Sequence, residues 1–297
     1  MSASTAAPGG RIAAAAVLLG LLLAVPGRAA AQDTAADPAA VERGRQVFLA
    51  ASCASCHTAD ETKRLAGGRA LKTPFGTFYT PNITPDPQHG IGRWSFGDFR
   101  RALREGIAPD GSPFYPAFPY TSYAGMADQD VAALWAYLRS QPAHAVANRP
   151  HALDFPYDLR PLLWPWRWLF FDPAPPPAAA PAGGADPVER GRYLVHALGH
   201  CGECHTPRNL FGAMEEDSFL AGNASGPEGS EVPDITPAGI GEWSAKDIAY
   251  YLESGFTPEF DAAGGPMAEV IQESTSQLPP EDRQAIAAYL KTLPARP

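Results

Sequence analysis

Apolar side chains recur at helical spacing near the end of each half of the chain. Residues three and four positions apart share one face of a helix, so each half is predicted to close with an amphipathic helix. Strand-like alternation of apolar and polar positions is scarce. The two apolar stripes consist of Val131, Leu134 and Leu138 in the first half and of Ala285, Ile286, Tyr289 and Leu290 in the second.

Two further segments, at positions 96–105 and 245–253, also have the pattern of helices. Long stretches rich in proline and glycine join the predicted helices. Loops of that length are uncommon in a compact domain. They are compatible with one only if the loop side chains pack on something other than each other.

Several blocks of the first half of the sequence recur in the second half. Matching blocks in the same order, about 150 positions apart, indicate a duplicated domain, because solenoid repeats have periods of roughly 20 to 50 residues. We therefore predict a first domain at 32–145, a connector rich in Trp, Pro and Ala at 146–185, and a second domain at 186–297. The clearest matching blocks are 41–45 with 188–192, 82–85 with 234–237, 90–95 with 239–244, and 130–138 with 282–290.

The N-terminal residues have the pattern of an export signal. Arg11 precedes an apolar run at 12–25, and small residues at 29–31 form a cleavage site. The run is too short for a comfortable membrane span. We expect removal of residues 1–31 and a periplasmic mature protein, while an uncleaved N-terminal anchor stays open.

Charge argues against one class of partner. Without Arg11 and Arg28 the mature chain has 21 basic and 32 acidic residues, a net charge of about −11. Nucleic-acid binding is disfavoured, because no basic patch is available to replace the counterions of phosphates.

The chemistry concentrates in two short motifs, each with two cysteines three positions apart and a histidine directly after the second. This is the pattern for covalent attachment of haem c. The thiols can add to the vinyl groups of one porphyrin, and the imidazole can coordinate its iron. The first motif comprises Cys53, Cys56 and His57, and the second comprises Cys201, Cys204 and His205.

Zinc sites and thioredoxin-like redox centres also use Cys-x-x-Cys pairs. Both pairs here carry the additional histidine, and together they use all four cysteines of the chain. Cys56 and Cys201 are 145 positions apart, whereas zinc pairs are usually separated by about 12 to 20 residues. The sequence therefore predicts two covalently bound haems.

The sixth iron ligand has two candidates among the methionines. Met126 lies 69 positions after His57, and Met267 lies 62 positions after His205. Both precede the closing helix of their half, whereas Met214 follows His205 too closely. A methionine more often fills a gap in a core, but the matched placement favours axial ligation. A histidine as the sixth ligand is the alternative.

One family resemblance rests on longer runs. Positions 73–86, 90–92 and 115–120 resemble the cytochrome c subunits of alcohol and gluconate dehydrogenases, and also the two-haem cytochrome subunits that accompany molybdenum hydroxylases. The dehydrogenase subunits have three haem motifs and this chain has two. The resemblance implies an all-α fold of two tandem class I cytochrome c domains, with Cys53, Cys56, His57 and Met126 on one haem and Cys201, Cys204, His205 and Met267 on the other.

The predicted function is that of a dihaem c-type cytochrome. It would take single electrons from a periplasmic dehydrogenase and pass them to a terminal oxidase or another cytochrome, without substrate chemistry of its own. The alternative is a dihaem redox enzyme of the thiosulfate dehydrogenase or peroxidase type. Peripheral membrane association stays open.

Overall fold

A computed structural model describes residues 37–173, 175–181 and 186–295. The predicted signal peptide, residues 1–31, lies outside the described residues. Within the described ranges, no helix is both long enough and apolar enough to cross a membrane. Below, the first half denotes residues 37–145, the connector 146–181 and the second half 186–295.

The first half contains five α-helices and a two-stranded hairpin. The predicted closing helix is present and is preceded by a single short turn of helix. In chain order the elements are α1 (Pro38–Ala50), α2 (Cys53–His57), β1 (Ala70–Thr73), β2 (Gly76–Tyr79), α3 (Phe96–Glu105), α4 (Tyr120–Tyr123) and α5 (Asp128–Arg139).

The connector contributes β3 (Ala152–Leu153) and α6 (Leu163–Phe170), and the second half resembles the first in helix order but has an additional short helix before its middle helix. A π-helical turn, Leu194–Leu198, continues the first helix of the second half. The helices of that half are α7 (Pro187–Tyr193), α8 (Gly202–His205), α9 (Pro237–Ile240), α10 (Ala245–Ser254), α11 (Gly265–Glu273) and α12 (Pro280–Leu290).

In each half the first helix crosses the closing helix at a glycine. A Cβ atom on Gly44 would overlap the Ala133 carbonyl of α5, and one on Gly191 would overlap the Ala285 carbonyl of α12. Only glycine permits so close an approach of two backbones.

An ion pair fixes each of these crossings. The guanidinium of Arg43 donates to Asp130 at 2.8 Å, and that of Arg190 donates to Asp282 at 2.7 Å. In both pairs the acid is buried, so the arginine satisfies a carboxylate that water does not reach.

The middle helices of the two halves begin and end alike. Ser95 and Asp98 form a capping box at the start of α3, and Ser244 and Asp247 form another at the start of α10. Both helices end at a glycine in the left-handed conformation. The repeated sequence blocks therefore have the same local structure.

A small antiparallel sheet departs from the all-α prediction. β2 pairs with β1 on one side and with β3 of the connector on the other, in the order β1-β2-β3. Gly76 adopts a φ of 109° and approaches the Ala152 backbone too closely for any side chain. The fold is therefore rich in helices but not purely helical.

The connector packs on both halves. Arg160 donates to the Pro113 carbonyl of the first half at 2.8 Å, and the Trp166 indole donates to the Phe211 carbonyl of the second half at 2.8 Å. Trp168, by contrast, is 85% exposed.

One apolar core extends through both halves. Val131 of α5 and Leu194, directly after α7, are almost fully buried and belong to the same cluster as Leu134 and Ile286. The two halves therefore share an interior.

Candidate functional site

The two cysteine motifs occupy equivalent short helices. α2 contains Cys53, Cys56 and His57, and a residue in the left-handed conformation, Ser52 with a φ of 49°, turns the chain before it. In the second half His200, with a φ of 41°, has the same role before the second motif. Each turn brings the two thiols of its motif onto one short segment of helix.

The second motif has the same arrangement. Cys201 caps α8, and Cys204 and His205 lie within it. Two thiols on one helical turn with the imidazole beside them are the donor set that covalent haem attachment requires.

Each motif histidine is held by a backbone carbonyl. The Nδ1 of His57 lies 2.8 Å from the Pro81 carbonyl oxygen, and the Nδ1 of His205 lies 2.8 Å from that of Pro233. A carbonyl oxygen only accepts, so Nδ1 carries the proton and donates, which leaves the lone pair of Nε2 for a metal. Both residues fit the role of a proximal iron ligand.

Burial keeps these imidazoles neutral. It lowers the pKa of both His57 and His205, against the opposing effect of the carbonyl hydrogen bonds. The neutral imidazole is the form that coordinates iron. Electrostatics and geometry therefore favour the same protonation state.

The thiols do not resemble those of a redox-active disulfide centre. Burial raises the pKa of Cys53 and of Cys201 to about 12, whereas a thioredoxin-like cysteine has a lowered pKa. In the described part of the chain, no group of three or more His, Cys, Asp or Glu side chains could hold a metal ion.

The two predicted methionines have different surroundings. Met126 is 0% exposed and belongs to the apolar core. Met267, on α11, is partly buried and packs against the edge of that core. Both precede the closing helix of their half, as the sequence suggested.

Glu203, inside the second motif, reaches into the first half of the chain. Its carboxylate accepts hydrogen bonds from the Thr121 hydroxyl at 2.7 Å and from the Ser122 hydroxyl at 2.9 Å. Arg208 pairs with the other carboxylate oxygen at 2.5 Å. The second motif is thereby fixed to α4, the short helix before the closing helix of the first half.

A reciprocal contact fixes the first motif. Arg69 donates to the Ser55 carbonyl at 2.6 Å and pairs with Glu269 of α11 at 2.6 Å. Each half thus presents the loop before its closing helix to the motif of the other half. Cys56 is close enough to Cys204 to contribute, after burial and Glu203, to the raised pKa of that thiol.

The histidine acceptors and these reciprocal contacts were not predicted from the sequence. The acceptors are main-chain atoms, and only the repeated block that begins directly after Pro81 and Pro233 points to them. Glu203 and Glu269 belong to no repeated block, so the sequence did not indicate their contacts.

Comparison with known proteins identifies the family. Residues 41–142 match the cytochrome c family model. A diheme cytochrome c-type protein of Cereibacter sphaeroides is 52% identical to this chain over 85% of the chain and 86% of that protein. The chain belongs to the cytochrome c family. Its predicted cofactor, covalently bound haem c, is thereby confirmed, and the two motifs agree with the two haems of that relative.

Two further relatives are cytochrome subunits of dehydrogenases. The fructose dehydrogenase cytochrome subunit of Gluconobacter japonicus is 41% identical over 90% of this chain and 56% of its own length. The gluconate 2-dehydrogenase cytochrome c subunit of Pantoea cypripedii is 40% identical over 94% of this chain and 65% of its own length. This cytochrome c thus spans about three fifths of these subunits. It is an electron-transfer protein and not a catalytic subunit.

Proposed function

We propose that the chain consists of two tandem class I cytochrome c domains, at 32–145 and 186–297, that together relay single electrons. When bound, haem iron supplies a one-electron couple. The repeated helix crossings, capping boxes and motif helices support the proposal of two equivalent domains. The connector, 146–185, joins them.

The attachment residues follow from the geometry of the motifs. The Cys53 and Cys56 thiols would hold one porphyrin, and the Nε2 atom of His57 would ligate its iron. Cys201, Cys204 and His205 would hold the second haem in the same way, and the Met267 sulfur would be a further ligand of its iron.

The proposed electron relay is supported above all by the reciprocal contacts between the two halves. Glu203 binds the loop of the first half, and Glu269 binds the segment next to the first motif. These contacts hold the two motifs at a fixed separation inside one protein. An electron that enters one half therefore has a short route through protein to the other.

The donor is proposed to be a periplasmic dehydrogenase, because relatives of similar sequence are named as dehydrogenase subunits. The acceptor is proposed to be a terminal oxidase or another cytochrome. Export by residues 1–31 would put the chain in the periplasm.

Matched cysteine variants test the assignment. The double variants Cys53→Ser/Cys56→Ser and Cys201→Ser/Cys204→Ser should each retain one covalent haem by the pyridine haemochrome assay, and the parent should retain two. Stopped-flow mixing with a reduced dehydrogenase should reduce the parent in two kinetic phases and each variant in one. Fewer than two covalent haems on the parent chain would contradict the proposal.

A further inference from the structure

The two halves share one hydrogen-bond register from their middle helices, α3 and α10, to the loop before the closing helix. In the first half the Phe114 N–H donates to the Gly106 carbonyl at 2.7 Å, and in the second half the Ala263 N–H donates to the Gly255 carbonyl at 2.8 Å. Equivalent residues here are 149 positions apart. This bond fixes Phe114 and Ala263 as counterparts.

The register resumes just before the closing helix, after three additional residues in the second half. The Met126 N–H donates to the Tyr123 carbonyl at 2.9 Å, and the Leu278 N–H donates to the Thr275 carbonyl at 3.3 Å. Equivalent residues are now 152 positions apart. The preceding bond repeats as well, from Gly125 to Ser122 and from Gln277 to Ser274.

The counterpart of Met126 is therefore Leu278, not Met267. Leu278 is 5% exposed and belongs to the same apolar core as Met126. At this position both halves place a core side chain just before the closing helix, so the matched placement seen in the sequence does not extend to the structure.

In the first half, the counterpart of the segment that carries Met267 contains no side chain that could ligate iron through sulfur or through an imidazole nitrogen. Positions 264–273 correspond to positions 115–121, which contain no methionine, histidine or cysteine. Met267 is the fourth residue after Ala263, and the fourth after Phe114 is Phe118. Like Met267, Phe118 is partly buried and packs against the core.

Distances along the chain agree with this pairing. Phe118 lies 61 positions after His57, and Met267 lies 62 after His205. The reciprocal contacts agree too, since Glu269 follows Met267 by two positions and Thr121 follows Phe118 by three, and each meets the opposite half.

Met126 itself borders no space that could accept a porphyrin. Its side chain is fully enclosed by protein atoms. Its neighbours in sequence contact the second half: Gly125 lies against Ala197, and the Ala127 N–H donates to the Tyr193 hydroxyl at 3.0 Å. This is the environment of a core residue at the contact between the halves.

The His200 ring packs against Tyr123, in the segment that precedes Met126. Its ring lies 5.5 Å from the Tyr123 ring, and its Nε2 lies 3.4 Å from the Ala51 carbonyl oxygen. Because a carbonyl only accepts, Nε2 of His200 carries the proton in this contact, which holds the ring against the first half.

We propose that the first haem iron has no methionine ligand, that Phe118 occupies the position that Met267 has in the second half, and that this iron binds small neutral diatomic molecules. The inference rests on the proposed attachment of one haem to each motif. A phenyl ring cannot coordinate iron, so the sixth position can accept a molecule such as carbon monoxide. The second iron, closed by Met267, cannot.

Carbon monoxide titration of the dithionite-reduced holoprotein tests this, on samples whose haem content has first been measured. We expect one carbon monoxide per chain for the parent and for Met126→Leu, which copies Leu278. Phe118→Met should bind none and should gain intensity in the near-infrared sulfur-to-iron charge-transfer band of the oxidised protein. Met267→Leu should bind two and should lose that band.

Other outcomes would overturn the inference. A parent that binds no carbon monoxide, with a Met126→Leu variant that binds one, would make Met126 the ligand. A parent that binds none together with an unchanged Met126→Leu variant would point to a nitrogen ligand such as His200. A parent that binds two would remove the difference between the halves. A low haem count in the same sample would instead contradict the proposed function.

Discussion

The Tyr193 hydroxyl donates to the Asp130 carboxylate at 2.7 Å, from the first helix of the second half to the closing helix of the first. Arg43 donates to the other carboxylate oxygen, and the Tyr193 oxygen accepts the Ala127 N–H. Burial, and then the charge of Asp130, raise the pKa of Tyr193 far above its usual value. The hydroxyl therefore stays protonated and available as a donor.

Replacing Tyr193 with Phe should lower the free energy of unfolding by about 1–3 kcal/mol. The substitution leaves the buried Ala127 N–H without an acceptor and removes a donor from Asp130. Urea denaturation of the holoprotein measures the change. Tyr250→Phe, at an exposed site, is the matched control and should leave the midpoint unchanged.

Glu203→Ala should weaken the contact between the halves, with a loss of about 1–3 kcal/mol in stability. It leaves Arg208 without its carboxylate and two hydroxyls without their acceptor. Amide hydrogen exchange should accelerate in α4, which contains those hydroxyls. The exposed Glu242→Ala should change neither quantity, and slow exchange in α4 of the Glu203 variant would contradict the role given to this residue.

Gly44→Ala and Gly191→Ala should each destabilise the fold by about 1–3 kcal/mol or more, because the new methyl group would overlap a backbone carbonyl of the closing helix. Thermal unfolding of the two variants measures this. In Gly97→Ala, whose Cβ would have only an ordinary contact with Ser95, the helix α3 should be retained and stability should rise by about 0.5–1 kcal/mol. Equal melting temperatures for all three would refute the close crossing.

Stability should fall between about pH 6.5 and pH 4 because of His196. Its ring stacks on Phe219 at 4.3 Å, and its Nε2 lies 2.6 Å from the Tyr289 hydroxyl. Burial, and then Arg192, lower its pKa to about 4, whereas an unfolded histidine titrates near 6.5. Between these values the unfolded chain binds a proton that the folded chain does not, so stability present above pH 6.5 is lost as the pH falls.

His196→Gln tests that contribution, since glutamine can bond to Tyr289 but does not titrate. The variant should lose less stability than the parent between pH 7 and pH 5 in paired urea titrations. Parallel pH profiles for parent and variant would show that His196 does not act in this way.

The sequence could predict those features whose residues lie within a few positions of each other along the chain. Each cysteine motif lies within five consecutive positions, and the apolar stripe of Val131, Leu134 and Leu138 repeats within one helix, so the haem c cofactor and the closing helices could be predicted. The three-stranded sheet was not, because its third strand, Ala152–Leu153, lies far along the chain and has only two residues.

Other features of the site leave no trace in residue type. The partners of His57 and His205 are carbonyl oxygens, which every residue has. The positions of Met126 and Met267 looked equivalent when counted from the motifs, but the loop of the second half is three residues longer. Only the backbone hydrogen bonds show where those residues are inserted.

The shared core makes each half dependent on the other. Side chains such as Val131 and Leu194 are buried in one interior, so a half expressed by itself would present to water the apolar face that its partner covers. Such a fragment should self-associate rather than behave as a small independent cytochrome. Each half therefore forms part of the interior of the other.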